Sequence, residues 1–388
     1  MTYQLTQDQV ALWEHVYHLG KRYVEPHASK WDQNSEYPWA IHEILKEQLL
    51  FGALVPKEYG GLGLSVVDFT VILEAIASSS ACGATLGTLE THSLGAQPIL
   101  IAGTEEQKRR WLPQIASGDS LCAFSLTESG AGSDAGSITT RAVKDGDSYV
   151  INGSKVFCTL GNLARYVTVF AKTQQDVGTR GITAFVIDTQ KAPGFKVGRV
   201  EKKMGLRGSP TVELIYEDVR VPVENRLGNE GEGFKIAMET LSKGRVAVAA
   251  DSVGIMDYVT KYAADYAKTR TQFGRPLSNL QAIQFMLADM EIQTETARQM
   301  TYAAANALIS GEKTRSEIAR LTAIAKCYAT DVRQKVVSDA IQILGGYGYM
   351  QDYPLERIHR DSKIYQIFEG TNQIQRLVIA RSVLAKEK

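Results

Sequence analysis

Two apolar helical runs meet near the C-terminus of this chain, at Ile364-Tyr365-Gln366-Ile367-Phe368-Glu369-Gly370-Thr371-Asn372-Gln373-Ile374-Gln375. Gly370 interrupts the first run, and Thr371 or Asn372 can cap a second helix. Glu369 is the only acid within the stretch. Burial among apolar side chains would raise the pKa of its carboxyl towards values useful for proton transfer. The stretch alone also fits an acid at the solvated end of a helix, which is the more frequent situation for a glutamate.

Composition limits the classes of protein to consider. A chain of 388 residues is expected to form two or three packed units. Its 43 Lys+Arg residues balance 43 Asp+Glu residues, which argues against a nucleic acid or an acidic membrane as partner. No CxxC pair is present, so we expect neither a disulfide framework nor a zinc site, and a reducing compartment fits better. The cysteines are Cys82, Cys122, Cys158 and Cys327.

The sequence shows no sign of export or membrane insertion. Residues 1–6 carry no basic run followed by an apolar core, so we expect no secretory signal. No apolar stretch approaches the length of a membrane span. We therefore expect a cytoplasmic protein.

Three regions of different character follow one another along the chain. Residues 1–118 show helical spacing, with a first run that Pro26 should end, a second at 66–76 and a third behind a capping box at Thr104. Residues 231–388 are again helical, over 231–269, 279–310, 315–344 and the pair around Glu369. Such long helices with short connections predict a bundle.

Residues 119–230 are rich in short β-type runs. A strand beginning at Cys122 leads into a glycine-rich loop, and further runs lie at 167–170, 182–187 and 212–216. Asp145-Gly146 and Asn152-Gly153 are hairpin-type turn sequences. This spacing predicts a small antiparallel barrel or sandwich.

The glycine-rich loop is Phe124-Ser125-Leu126-Thr127-Glu128-Ser129-Gly130-Ala131-Gly132-Ser133-Asp134. Its glycines allow the backbone to approach a planar or anionic group, and Thr127 and Ser133 offer hydroxyls. The spacing is not that of a dinucleotide-binding fingerprint, and a P-loop lysine is missing. Taken alone, such a loop is more often a plain β-turn.

Phe368-Glu369-Gly370-Thr371-Asn372-Gln373-Ile374-Gln375-Arg376 resembles the active-site signature of acyl-CoA dehydrogenases, whose glutamate takes the α-proton of an acyl thioester. The loop at 124–134 resembles the flavin-contacting loop of the same family. Other matches lie at 60–63, 204–209 and 217–222, so the resemblance covers almost the whole chain. It implies an N-terminal helical domain (1–118), a middle antiparallel β-barrel (119–230) and a C-terminal four-helix bundle (231–388).

The resemblance also implies FAD as cofactor and assigns the residues that contact it. These are Phe124, Leu126, Thr127, Gly132, Ser133, Phe157, Thr159, Arg270, Phe273, Gln281, Gln342, Gly345, Gly346, Thr371 and Gln373. Ser129 replaces the family's usual proline, and Leu160 replaces an asparagine. Without the family match, Phe157 would be taken as a β-core aromatic.

The segments around Arg270 and Gly345-Gly346 resemble those that reach the cofactor of a neighbouring subunit, which implies a homo-oligomer, with a tetramer expected. A guanidinium suits a pyrophosphate, and adjacent glycines let an adenosine diphosphate lie on the backbone. Considered separately, Arg270 would be a surface cation and the glycines a helix stop.

The implied substrate contacts are Ser133, Ser242, Arg245 and Gly370, with Glu369 as the catalytic base and no metal. Ser242-Lys243-Gly244-Arg245 stands where the family usually has Asp-x-x-Arg. Some branches carry their glutamate immediately before this arginine, and Gly244 leaves Glu369 as the sole matching base. The change to Ser242 leaves open whether the acyl group is carried by coenzyme A or by a carrier protein.

The expected reaction is α,β-dehydrogenation of an acyl-CoA to the trans-2-enoyl-CoA, with flavin N5 as hydride acceptor and electron-transfer flavoprotein as electron partner. An oxidase is the closest alternative, although such relatives usually have longer chains. A flavin monooxygenase is disfavoured because that branch lacks the glutamate. A catalytically silent flavin-binding scaffold is the alternative from another class. The floor of the acyl pocket is expected around 85–98, where His92 is either a pocket residue or, more often for a lone helical histidine, structural.

Overall fold

The computed structural model describes residues 4–385. Residues 1–3, on which the expectation about a secretory signal partly rests, and residues 386–388 lie outside the described range. The N-terminal part is helical, as predicted, and Thr104 forms the expected capping box. Its helices are α1 (Gln7–Leu19), α2 (Ala28–Asn34), α3 (Trp39–Glu47), α4 (Val66–Ser80), α5 (Gly83–Ala102) and α6 (Glu105–Ala116).

Pro26 does not end the first helical run, contrary to the prediction. The helix passes from α1 into a π-helical stretch, Gly20–Val24, and then a 3-10 turn, Glu25–His27, that leads directly into α2. Pro26 is tolerated because it lies at the start of that turn, where its missing N–H is not needed.

The middle part is one sheet with the strand order β6-β7-β3-β2-β4-β5-β8, and β1 is added beside β4. Most neighbours are antiparallel, but β4 pairs in parallel with β1 and, at one position, with β2, so the sheet is mixed. Its strands are β1 (Cys122–Ser125), β2 (Arg141–Asp145), β3 (Ser148–Thr159), β4 (Tyr166–Lys172), β5 (Ile182–Asp188), β6 (Phe195–Val200), β7 (Thr211–Pro222) and β8 (Arg226–Leu227).

Of the two turn sequences in this sheet, one is confirmed and the other is wrong. Asp145 pairs with Ser148 across a two-residue turn, so Asp145-Gly146 begins the β2–β3 hairpin as predicted. Asn152-Gly153 instead lies inside β3, where the register against β7 shifts between Ile151 and Gly153. This irregularity is a bulge-type interruption, for which glycine in a strand is a common marker.

The C-terminal part is the predicted bundle of long helices. It contains α7 (Gly233–Thr269), α8 (Gln281–Ile309), α9 (Arg315–Leu344), α10 (Leu355–Ser362) and α11 (Asn372–Val383). A short hairpin, β9 (Thr271–Gln272) and β10 (Arg275–Pro276), separates α7 from α8. Helices α7, α8 and α9 pack on one another, and α11 packs on α9.

The three parts share a contact region that holds the candidate site. Helix α4 packs on α7, and α5 contacts both α7 and β1. A Cβ at Gly95 would lie 2.7 Å from the backbone of Ala123, so only glycine permits this approach of α5 to β1. The segment between α10 and α11, which carries Glu369, lies beside α7 and α9. Among the described helices, none is both long enough and apolar enough to cross a membrane.

Candidate active site

Glu369 stands in a backbone conformation that few residues with a side chain adopt. Its φ is +54° and that of Gly370 is +85°, so the chain turns sharply between the 3-10 turn Lys363–Gln366 and α11. Thr371 caps α11 by accepting a hydrogen bond from the Ile374 N–H at 3.2 Å. A non-glycine residue at positive φ persists where surrounding contacts hold it, and such residues concentrate at functional sites.

The Glu369 carboxyl is placed in a low-polarity environment beside two cations. The residue as a whole is half-buried, but its Oε2 is shielded from solvent and has no hydrogen-bond partner among the described residues. Desolvation raises the pKa of this carboxyl to about 7, against the opposing effect of Arg245 and Lys326. Near neutral pH the group therefore exchanges a proton readily, which is what a general base requires.

Helix α7 approaches Glu369 at Gly244. A Cβ built on Gly244 would lie 2.7 Å from Glu369 Oε1 and closer still to Oε2, so no side chain fits at this position while Glu369 occupies its place. The neighbouring Arg245 is buried and its Nε has no partner among the described residues. Ser242 donates its hydroxyl to the Met238 carbonyl at 3.0 Å and is half-buried.

A narrow cavity of about 20 Å³ opens beside Glu369. Polar groups interrupt its apolar wall: the buried Oε1 of Glu90 has no partner within residues 4–385, and Lys243 donates to Gln97 at 2.8 Å. Residues of 85–98, where the floor of the acyl pocket is expected, line this cavity. The lining residues are Leu54, Val66, Phe69, Thr70, Glu90, Ser93, Leu94, Gln97, Lys243, Gly244, Ala247 and Glu369.

His92 does not line this cavity. Its ring is buried, with Nε2 3.0 Å from the Ile115 carbonyl, while Nδ1 accepts from the Cys122 N–H at 3.3 Å. Desolvation lowers the pKa of His92 to about 4, so the ring is neutral near pH 7. These contacts favour the structural interpretation of His92.

The glycine-rich loop is anchored by a buried ion pair. Lys155 Nζ lies 2.8 Å from Glu128 Oε1 and donates to the Leu126 carbonyl at 2.9 Å. Burial alone would raise the pKa of Glu128, but Lys155 together with Thr140 and Thr139 lowers it to about 2. The loop beyond this pair is open: Gly132 and Ser133 are exposed, and a Cβ at Gly130 or Gly132 would meet nothing within 4 Å.

Phe157 projects from β3 into solvent rather than into the sheet core. Its side chain is 65 % exposed and its φ is +58°. A large aromatic residue that is both exposed and strained indicates a ligand contact rather than core packing. Thr159, two residues later, is half-buried with its Oγ1 3.5 Å from that of Thr211. Phe124 packs on Phe170, Leu126 is buried and Thr127 is half-buried.

A second group of candidate residues forms a separate groove of about 510 Å³ at the far end of the bundle. Arg270, Gln272, Gly345 and Gly346 line it, together with aromatic and aliphatic side chains of α7 and α9, whereas Gln281 and Gln342 are exposed outside its lining. Within residues 4–385 the loop residues 124–134 do not contribute to this groove. Phe273, at the tip of the β9–β10 hairpin, is 90 % exposed.

Comparison with known proteins assigns the family. The N-terminal, middle and C-terminal domain models of acyl-CoA dehydrogenases match residues 6–119, 123–219 and 231–384. The chain belongs to the acyl-CoA dehydrogenase family. The fold class predicted from the sequence is thereby confirmed.

Individual acyl-CoA dehydrogenases match over the full length. The chain is 44 % identical to an acyl-CoA dehydrogenase of Bacillus subtilis (strain 168), over 98 % of this chain and 99 % of that protein. The structure of butyryl-CoA dehydrogenase from Megasphaera elsdenii matches with a TM-score of 0.94 and 41 % sequence identity. The match covers 99 % of this chain and 100 % of that one. A chain from work on the electron transferring flavoprotein of Acidaminococcus fermentans is 43 % identical in sequence. Its TM-score is 0.95, and the match covers 100 % of both chains. The protein is therefore an oxidoreductase.

Acyl-CoA dehydrogenases are FAD flavoproteins, and the geometry of this chain fits such a group. The open loop at Gly130 and Gly132, the exposed ring of Phe157 and the groove at Gly345-Gly346 leave space where a Cβ or a core contact would otherwise be expected. None of the loop residues 124–134 lines the groove, so the two groups form separate surfaces of the described chain. Thr371, whose hydroxyl caps α11, and Gln373, which is exposed, follow Glu369 in the chain and do not line the groove.

Sequence reasoning missed several residues that the structure places at the site. Glu90 and Lys326 face Glu369, and the Glu128–Lys155 pair supports the loop. Of these residues only Glu128 belongs to a stretch that carries a motif, and Lys326 precedes Glu369 by more than forty positions. The only signal in the sequence is a charged residue among apolar ones on a helix or strand pattern, which for most such residues means a solvated face.

Proposed function

We propose that the chain is an FAD-dependent acyl-CoA dehydrogenase that converts an acyl-CoA thioester to the trans-2-enoyl-CoA. The observation that carries this proposal is the Glu369 carboxyl at the wall of a narrow cavity. Its Oε2 has no hydrogen-bond partner in the part of the chain that the structure describes, and its pKa is raised to about 7. A base at that position has access to the α-carbon of an acyl group whose thioester end reaches the cavity.

The residues of this chain account for the proton half of the reaction. Glu369 accepts the α-proton, and the thioester carbonyl gains negative charge as the proton leaves. The Glu369 N–H has no hydrogen-bond partner among the described residues, so it is free to donate to that oxygen. Bound FAD supplies the acceptor for the hydride that leaves the β-carbon. The cavity beside the base is narrow, about 20 Å³, and α4 contributes the apolar side chains of Val66 and Phe69 to its lining.

The cofactor and assembly proposals belong together. The loop at 124–134 with Phe157 and Thr159 would hold the flavin ring, and Arg270 with Gly345 and Gly346 would hold the diphosphate end of a neighbour's FAD. Separation of the two groups within one chain supports a homo-oligomer, and we propose a tetramer. Likeness to a chain from work on an electron transferring flavoprotein supports electron-transfer flavoprotein as electron acceptor.

Coenzyme A is the proposed carrier of the acyl group, with carrier-protein pantetheine as the alternative. Ser242 already donates to its own helix, and a hydroxyl or a bridging water retains capacity for one more contact. The four cysteines are unpaired and buried, which supports a reducing compartment and hence a cytoplasmic location.

Anaerobic titration of the purified yellow protein tests the proposal. Acyl-CoAs of graded chain length should bleach the flavin absorbance, and the enoyl-CoA should appear in equal amount. The same acyl chains on a carrier protein decide the alternative, since a large preference for that form would change the substrate class. A yellow protein that no acyl thioester bleaches would favour a silent flavin-binding scaffold.

A further inference from the structure

Lys326 is a buried cation that the motifs do not include. It lies in the middle of α9 and its exposure is 0 %. Its Nζ donates to the Gly370 carbonyl at 2.9 Å and to Asn372 Oδ1 at 2.9 Å. A lysine ammonium is rarely taken out of water unless its position is required, because the desolvation is unfavourable.

Both partners of Lys326 belong to the turn that begins at Glu369. Asn372 in addition donates to Thr330 Oγ1 at 2.8 Å and to Asp331 Oδ1 at 2.7 Å, both one turn further along α9. From the other side, Gln375 donates to the Gly370 carbonyl at 2.8 Å. One face of α9 therefore fixes the peptide units that follow Glu369.

We propose that Lys326 is a positioning residue for Glu369, holding the turn that aims the carboxylate and supplying a positive charge that favours its ionised form. This inference rests on the proposed function only for what Glu369 does. The strained φ of Glu369 makes such a restraint necessary, because the turn would otherwise relax to a lower-energy conformation. Lys326 acts through the backbone and through the electric field, and it does not touch the substrate.

The charges that face Glu369 come from three helices. Arg245 lies on α7, Lys326 on α9 and Glu90 on α5. Desolvation raises the pKa of Glu90 well above its usual value, and the charges of Asp251 and Glu369 raise it further. Desolvation lowers the pKa of Lys326 to about 8, against the effect of Glu369, so Lys326 is still charged at neutral pH. Both cations lower the pKa of Glu369, and loss of either would raise it.

Two substitutions separate charge from restraint. Lys326→Gln removes the charge but keeps a side-chain donor, whereas Lys326→Met removes both in a similar volume. Lys335→Met is the matched control, since Lys335 lies on the same helix, is exposed and pairs only with Asp339 among the described residues. All three are compared as holoenzymes, with flavin content and oligomeric state measured first.

The first readout needs no substrate. Infrared difference spectra against Glu369→Gln follow the protonated carboxyl of Glu369 as pH changes. Both Lys326 variants should raise its pKa by about one unit or more, as expected for loss of a nearby opposite charge. Lys335→Met should leave it unchanged. If the Glu369 carboxyl of the Lys326→Gln variant has the wild-type pKa, the electrostatic role of Lys326 is refuted, whether or not Lys326→Met folds.

The second readout is the rate of flavin reduction at a pH where Glu369 is ionised in every variant. The rate of flavin reduction should fall on the order of tenfold to a hundredfold in Lys326→Met, because a misplaced base loses its orientation towards the substrate. The rate should fall less in Lys326→Gln. Equal rates in Lys326→Met and wild type would refute the restraint. A wild-type protein that no acyl-CoA reduces would instead remove the proposed function, while the infrared titration still decides the effect of Lys326 on Glu369.

Discussion

At the scale of single residues, Glu369 combines two features that are unfavourable for folding and that its proposed role as a base explains. Its backbone lies at positive φ, and its carboxyl is desolvated, with one oxygen that makes no hydrogen bond to any described residue. The sequence predicted the base from its motif and from apolar neighbours, but it did not predict the strain. The sign of φ depends on contacts from α9 and α11, which no local pattern contains.

The first prediction concerns pH. Because the pKa of the Glu369 carboxyl is raised to about 7, the base is protonated and idle below that pH and ionised above it. We expect kcat/KM for an acyl-CoA to rise with pH through about 7 and then to level off. Steady-state assays over a pH series check this. A profile already flat at mildly acidic pH would show that Glu369 is not the titrating base.

The second prediction concerns Glu369→Gln. Turnover should fall on the order of a hundredfold to ten-thousandfold with flavin retained, because the proton acceptor is lost. The same substitution should increase the free energy of unfolding. The pKa of the Glu369 carboxyl is about 7 in the folded protein and 4.5 in its ordinary state, so ionisation above pH 4.5 destabilises the native wild-type protein. The variant escapes this, gaining up to about 3 kcal/mol above neutral pH and almost nothing near the unfolded-state pKa. Thermal midpoints at two pH values measure the difference, and an equal gain at both would contradict the assignment.

At the scale of elements, local sequence signals were reliable where the contacts of a motif join residues that are neighbours in the sequence. The Thr104 capping box and the Asp145-Gly146 turn were predicted because each involves only neighbouring residues. Asn152-Gly153 was misread since β3 pairs with β7 on both sides of it, and this long ladder overrides a turn sequence. Pro26 was misread because α1 and α2 are joined through π and 3-10 turns.

The third prediction concerns the support of the glycine-rich loop. Lys155→Met would leave Glu128 buried without its cation, which typically costs about 3–5 kcal/mol, since both side chains of the pair are almost fully buried. We expect a lower thermal midpoint and loss of flavin on gel filtration. Lys196→Met is the control, because Lys196 pairs with Glu217 on the same sheet in an exposed position. Similar losses in both variants would show that burial of the pair is not what matters.

At the scale of the whole molecule, the flavin-type loop and the groove at Gly345-Gly346 lie on different parts of one chain. The proposed oligomer would bring the two together at one cofactor, and the exposed aromatic residue Phe273 follows Gln272 of the groove lining. The order of helical, β and helical regions was readable from composition along the sequence. Which residues meet across the bundle was not, because helix packing brings together positions that no periodicity relates.

The fourth prediction concerns assembly. Arg270→Ala should lower the FAD-to-protein ratio, since a cation suited to a pyrophosphate is removed. The control is Arg199→Ala, whose guanidinium is exposed on β6. Absorbance and light scattering on the same sample measure cofactor content and mass together. A stable monomer with full FAD occupancy would rule out a site completed by a neighbouring subunit.

The Glu369 carboxyl occupies the volume that a side chain at position 244 would need, and this volume is available because residue 244 is glycine. A Cβ added at Gly244 would overlap the Glu369 carboxyl where it now lies, so a chain with a side chain at both positions would have to move that carboxyl out of its present place. We therefore expect Gly244→Glu alone to displace the Glu369 carboxyl, whereas the paired exchange Gly244→Glu with Glu369→Gly would leave a single carboxylate, now carried by α7, for the same volume.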